Sequence, residues 1–223
     1  MRQLIFSLGH RPAHGAADFI VGAANREAMA WIDRWPDWPA GGVVIAGPPA
    51  SGKSHLAAVW QARSGAAVVA ATALADSPDL VALAQLGAVA VEDADRGVDE
   101  RALLHLYNLM RERRGHLLLT ARSAPARWPL ALPDLRSRMA TLPVAVLAPP
   151  DDDVLATLIV KLFADRQVRV EPDLVAYLVA RLDRSFAAAA EAVAALDAAA
   201  LAQGRAVTIP LVKAVLGANI AET

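Results

Sequence analysis

The 223-residue chain contains no cysteine, which excludes disulfide staples and thiolate metal sites and agrees with a reducing compartment. Its five histidines include one H-x₃-H pair, His10 and His14, with the other three scattered; a single pair does not make a histidine-built metal site. Neither sign of charge prevails: 22 Lys and Arg face 23 Asp and Glu, a formal charge of −1. That balance provides no general attraction to nucleic acid, and any DNA contact must come from a local patch or through a partner. Hydrophobic residues make up 56% of the chain, much of it alanine, yet no uncharged apolar run approaches the roughly 20 residues that span a bilayer. Arg2 is followed by no extended apolar segment leading to a small-residue cleavage site, so no secretory signal is read. A cytoplasmic protein without a membrane partner is expected.

What is present is a phosphate-binding pattern. Gly47-Pro48-Pro49-Ala50-Ser51-Gly52-Lys53-Ser54 satisfies G-x-x-x-x-G-K-[ST] in full, between a β-branched run at 43–46 and a helix expected over 55–63, beginning at His55. Backbone N–H groups of such a loop face the phosphates, and a side chain at Gly52 would obstruct their approach. Lys53 reaches the β- and γ-phosphates as a point charge, and the Ser54 hydroxyl is a ligand for the Mg²⁺ that bridges them.

Downstream, apolar runs at 67–71, 88–91, 116–120 and 144–147 alternate with helical patterns at 79–86, 100–114 and from 133 onward. This β/α alternation predicts a five-stranded parallel sheet flanked by helices. The third strand ends at Glu92-Asp93 and the fourth in a polar cluster of Thr120, Arg122 and Ser123, both at the edge where open α/β sheets hold ligands. A solvated loop is the alternative reading of Glu92, Asp93 and Asp95; a complete phosphate loop upstream favours a site. Ala148-Pro149-Pro150-Asp151 marks a break, with Asp151 able to cap the next helix. Beyond it, four helices are expected over 152–165, 172–182, 185–202 and 209–216, the alanine-rich third one packing through Val193, Leu196 and Leu201. The expected organisation is an N-terminal segment 1–15, a nucleotide-binding α/β domain 16–148 and a small all-helical lid 149–223.

Phosphate loop, acidic strand end, polar strand end, an arginine before the fifth strand and a helical lid together resemble the AAA+ ATPases. Leu106-Tyr107-Asn108, the run Leu132 to Arg138, Leu182-Asp183-Arg184 and Thr208-Ile209-Pro210 look closest to the DnaA branch and, within it, to the Hda-like regulators that lack the DNA-binding domain. The resemblance implies that residues 47–55 and Arg184 hold ADP or ATP, Arg184 as sensor 2. It makes Glu92-Asp93 the Walker B pair, Glu92 joining Ser54 at Mg²⁺, and places Thr120 at or near sensor 1. Arg138 would be the finger that completes a neighbouring subunit's site. Asp18 to Gly22, with Phe19 and Val21, resembles an adenine-pocket lining; a helix-entry segment with Phe19 and Ile20 in the core is the alternative. Glu-Asp in place of the usual Asp followed by an acid implies weak intrinsic hydrolysis.

Gln3-Leu4-Ile5-Phe6-Ser7-Leu8 resembles the peptide with which such replication proteins dock on the DNA polymerase sliding clamp. Gln3 would be the polar anchor, with Leu4, Phe6 and Leu8 on one side of an extended peptide; an ordinary edge strand is the alternative. The chain ends near where DnaA would begin its DNA reader. The expected role is therefore replication regulation near the nucleoid and replisome, with DnaA and the clamp as partners, DNA met only indirectly and homo-oligomers possible. A stand-alone ATPase, such as a helicase loader or DnaA-like adaptor, is the competing reading. A P-loop kinase is weaker, because it leaves Arg138 and Arg184 unexplained.

Overall fold

Strand residues alternate between two apolar cores, which is why the strands read as short, nearly continuous hydrophobic runs. The computed structural model describes residues 20–75 and 80–217. Gln3, Leu4, Phe6, Leu8 and Phe19 lie outside the described residues. The chain divides into two units, 1–148 and 149–223.

In the first unit, strands β1 (Gly42–Ala46), β2 (Ala67–Ala70), β3 (Ala88–Glu92), β4 (His116–Ala121) and β5 (Val144–Val146) form one parallel sheet in the order β2-β3-β4-β1-β5. Helices α1 (Arg26–Arg34), α2 (Lys53–Ser64), α3 (Leu80–Gln85), α4 (Glu100–Glu112) and α5 (Pro133–Met139) flank it. Val43, Ile45, Ala88, Ala90, Leu118 and Ala145 face a core shared with α1 and α2. Val44, Val89, Val91, Leu117 and Leu119 face a second core with α4 and α5. Small strand residues on the first face leave room for Trp60, which is fully buried, and Trp38, which stacks on it at 5.0 Å between ring centroids. Trp35 meets Trp60 edge-on, and His116 packs against both Trp35 and Trp38, so an aromatic cluster closes the amino-terminal end of the sheet. Helix α1 and this cluster have no counterpart among the expected elements.

The second unit contains α6 (Asp152–Asp165), α7 (Pro172–Val179), α8 (Phe186–Gln203) and α9 (Ile209–Leu216). Asp151 caps α6 by accepting from Val154 N–H at 2.8 Å, and Ser185 caps α8 from Ala188 N–H at 3.0 Å. Phe163, Leu178, Leu196 and Leu211 are among the side chains of its own core. Helix α8 has the length and hydropathy of a membrane span by composition, but Val193 and Leu196 are fully buried in that core. Leu201 does not share their stripe: it is 83% exposed, and Ala200 holds the buried position instead. Four residues beyond Leu196 the helix returns to the same face, whereas the fifth turns away from it.

That difference sets a paired test. Leu196→Ala should lower stability by about 2–5 kcal/mol, whereas Leu201→Ala should change it by less than about 0.5 kcal/mol, both read from urea denaturation followed through helix ellipticity.

Candidate nucleotide site

Strand β1 delivers the phosphate loop to the carboxyl edge of the sheet and is gripped there from both sides. Gly47 N–H donates to Ala121 C=O at 3.0 Å, and Leu147 N–H donates to Ala46 C=O at 2.7 Å. A side chain at Gly47 would place its Cβ 2.9 Å from the Leu147 carbonyl and 2.7 Å from Ser51 Oγ. Glycine is therefore needed here for close packing of the loop on the chain leaving β5. Ala50 (φ 57°) and Gly52 (φ 95°) turn the chain into α2, which begins at Lys53, two residues before the expected start. No side chain caps that helix, so its first N–H groups are left for an anion.

Lys53 is only 8% exposed and donates through Nζ to the carbonyls of Gly47 at 2.9 Å and Pro48 at 2.7 Å. Burial pushes its pKa below 10.5; Asp93 and Asp95 oppose that shift, Arg122 adds to it, and Glu92 opposes it again. Four charged side chains from the carboxyl ends of β3 and β4 thus act on Lys53 at the end of β1. Ser51 Oγ is buried without a partner. Ser54 is exposed in the first turn of α2, His55 is half-buried, and Pro48 and Pro49 are exposed.

Beyond β3 the acids are held by β4. Thr120, 1% exposed, accepts from Asp93 N–H through Oγ1 at 3.1 Å and from Ala94 N–H through its carbonyl at 2.8 Å. Asp95 Oδ2 accepts from Arg122 N–H at 2.9 Å. Glu92 Oε1 and Asp95 Oδ1 remain buried and unpartnered. Orphaned carboxylate oxygens suit a hard cation, so Glu92 is chemically able to hold Mg²⁺. Among the described residues no group of three His, Asp or Glu could hold a metal. A cleft of about 550 Å³ opens beside these acids, between Thr72, Arg96 and the Glu92-Asp93 pair.

Each of the remaining expected residues has its own local partners. Asn25 closes the turn before α1, its Oδ1 accepting from Gly22 N–H at 2.9 Å and its Nδ2 donating to Ile20 C=O at 2.8 Å. Ile20 is buried and Val21 packs on the α1–α2 core. Arg138, near the end of α5, pairs with Asp134 at 3.0 Å and lies 5.7 Å from the Tyr107 ring; it is not among the charges acting on Lys53. In the second unit Arg184 pairs with Asp152 at 2.9 Å, both more than half exposed. Asp95 and Arg122, read from the sequence as lying at the ligand edge without assigned roles, stand at the ends of β3 and β4 and are joined by the hydrogen bond from Arg122 N–H to Asp95 Oδ2.

This sheet order, with a phosphate loop after β1 and acids after β3, defines an AAA+ fold. Residues 151–216 match the family model for the Hda lid domain. Domain III of the replication initiation protein DnaA from Thermotoga maritima superposes with a TM-score of 0.75 at 17% identity, covering 92% of this chain and 95% of that one. AMPPCP-bound DnaA from Aquifex aeolicus gives 0.61 at 16% identity, over 72% of this chain and 58% of that one. The RuvB Holliday junction branch migration motor of Thermotoga maritima gives 0.66 at 15%, over 87% and 66%. Lid and fold together make the chain similar to Hda-like, DnaA-related AAA+ proteins, although it spans less than two thirds of the longer DnaA chain.

A folded pKa below the unfolded one means that the unfolded chain binds more protons between the two, so stability rises with pH in that window. For Lys53 the window lies below 10.5. Urea unfolding of the ligand-free protein should therefore show wild type gaining on Lys53→Met as the pH rises toward 10.5; a constant difference up to that pH would contradict the burial cost.

Proposed function

We propose that the protein is a DnaA-related regulator that binds ADP or ATP in its first unit and promotes hydrolysis of ATP bound to DnaA. The Hda lid match over residues 151–216, joined to a complete phosphate loop, carries this reading. Residues 47–55 cradle the phosphates through backbone N–H groups and Lys53, with Arg122 as a second cation at the same edge. Ser54 and Glu92 hold Mg²⁺, which supplies neutralisation of the β- and γ-phosphate charge when bound. AMPPCP in the DnaA structure supports an adenine nucleotide as the ligand, with Phe19, Val21 and Arg184 completing its surroundings.

Glu92 extends one methylene further than an aspartate, and Asp93 reaches less far than a glutamate. Its backbone N–H is tied to Thr120, so Asp93 cannot advance without breaking that hydrogen bond. Weak intrinsic hydrolysis follows, and nucleotide serves chiefly as a structural switch. Arg138 supplies the chemistry in trans: an arginine aimed at developing phosphate charge accelerates hydrolysis by roughly 10³–10⁵. Gln3, Leu4, Phe6 and Leu8 tether the protein to the sliding clamp, raising its local concentration in the cytoplasm where DnaA is bound near DNA. The stand-alone ATPase reading is favoured by the buried free oxygens of Glu92 and Asp95, which leave the acid loop able to hold a metal.

Conversion of DnaA-bound ATP to ADP, followed with purified DnaA and DNA-loaded clamp, tests the proposal. Arg138→Ala should abolish the stimulation while ADP binding stays within about twofold of wild type. Replacing Gln3, Leu4 and Phe6 by alanine should remove clamp binding, measured by surface plasmon resonance, without changing the melting temperature. Turnover by the chain alone that is indifferent to DnaA and clamp would favour the stand-alone ATPase.

A further inference from the structure

Helix α5 has 7 residues and no side-chain cap of its own, too few for its direction to be self-determined. Its course is set instead by α4. Glu100, the first residue of α4, accepts from Ala131 N–H through Oε1 at 2.8 Å and from Leu132 N–H through Oε2 at 2.6 Å. Both carboxylate oxygens are thus spent on the two residues immediately before α5. Leu135 and Met139 anchor its inner side in the core, and Arg136 donates to the Leu130 carbonyl.

Seven residues on from Glu100, on the same face of α4, Tyr107 lies under the far end of α5. Its ring is 5.7 Å from the Arg138 guanidinium and 6.0 Å from that of Arg111. Tyr107 is 2% exposed and its hydroxyl is buried without a partner, so the ring, rather than the hydroxyl, carries the contact. Asp134 completes the arrangement by holding Arg138 Nε at 3.0 Å one turn back. An electron-rich face and one carboxylate restrict a long side chain that otherwise samples many rotamers.

We propose that Glu100 and Tyr107 are positioning residues for Arg138: a two-point rest along one face of α4 that fixes where α5 starts and where its guanidinium ends. This rests on the reading of Arg138 as a finger acting on DnaA-bound ATP. A misplaced finger is lost from the hydrolytic step before it is lost from binding, because charge stabilisation depends steeply on geometry.

The experiment measures the maximal rate of DnaA-ATP hydrolysis and the half-saturating concentration of the full chain, with clamp present and ADP binding and thermal midpoint recorded for each variant. Glu100→Gln, which turns one acceptor into a donor facing an N–H, should lower the maximum by about tenfold with half-saturation unchanged. Tyr107→Leu should behave alike, and Tyr107→Phe should match wild type. An unchanged maximum in Glu100→Gln and Tyr107→Leu, beside an inactive Arg138→Ala, overturns the proposal. So does equal damage from Tyr107→Phe and Tyr107→Leu, or a Glu100→Gln protein that loses ADP binding in step with stimulation. Wild-type stimulation by Arg138→Ala overturns the finger reading itself, and the role of Glu100 and Tyr107 with it.

Discussion

The carboxyl edge of the sheet depends on Thr120. Strand β4 lies between the strand that feeds the phosphate loop and the strand that feeds the acids, and Thr120 closes the gap on the acid side with a hydroxyl and a carbonyl. One residue later, Ala121 closes the loop side through Gly47. A single dipeptide thereby sets the spacing between the lysine and the carboxylates that oppose its loss of charge on burial. Any displacement of β4 along the sheet would move both loops. Such a rigid edge suits charge stabilisation, which is effective only where dipoles and charges are already placed.

Much of this was legible in the chain. Short β-branched runs separated by helical periodicity are enough for a parallel sheet, since burial on both faces erases the two-residue alternation that an exposed strand would show. The phosphate loop was legible because each of its fixed positions answers a physical need. Gly47 was a partial case: beyond Ser51 Oγ in its own loop, a Cβ there would meet Leu147 at 2.9 Å. That contact joins residues a hundred apart and leaves no local trace.

Other features escaped for similar reasons. Helix α1 carries Trp31 and a charged outer face, a pattern overshadowed by the prolines just beyond it. Leu201 was assigned to a packing stripe because leucine is apolar, but among so many alanines only angular position distinguishes the inner from the outer face. Asp95 was read as part of a site beside Glu92 and Asp93, but its partner, the Arg122 backbone, is placed beside it only by the sheet. Glu100 reads as a first-turn acid at a helix start, where acids are favoured anyway; nothing in its neighbourhood signals that both oxygens are committed 31 and 32 residues away.

The aromatic cluster at the opposite end of the sheet has an optical consequence. All five tryptophans, at 31, 35, 38, 60 and 128, lie before residue 149, and the helical unit has none. Ultraviolet emission excited at the red edge of the indole band therefore reports on the α/β unit alone. Far-ultraviolet ellipticity, by contrast, sums the helices of both units. Recorded on the same sample, the two signals separate loosening of the lid from loss of the sheet without any introduced label.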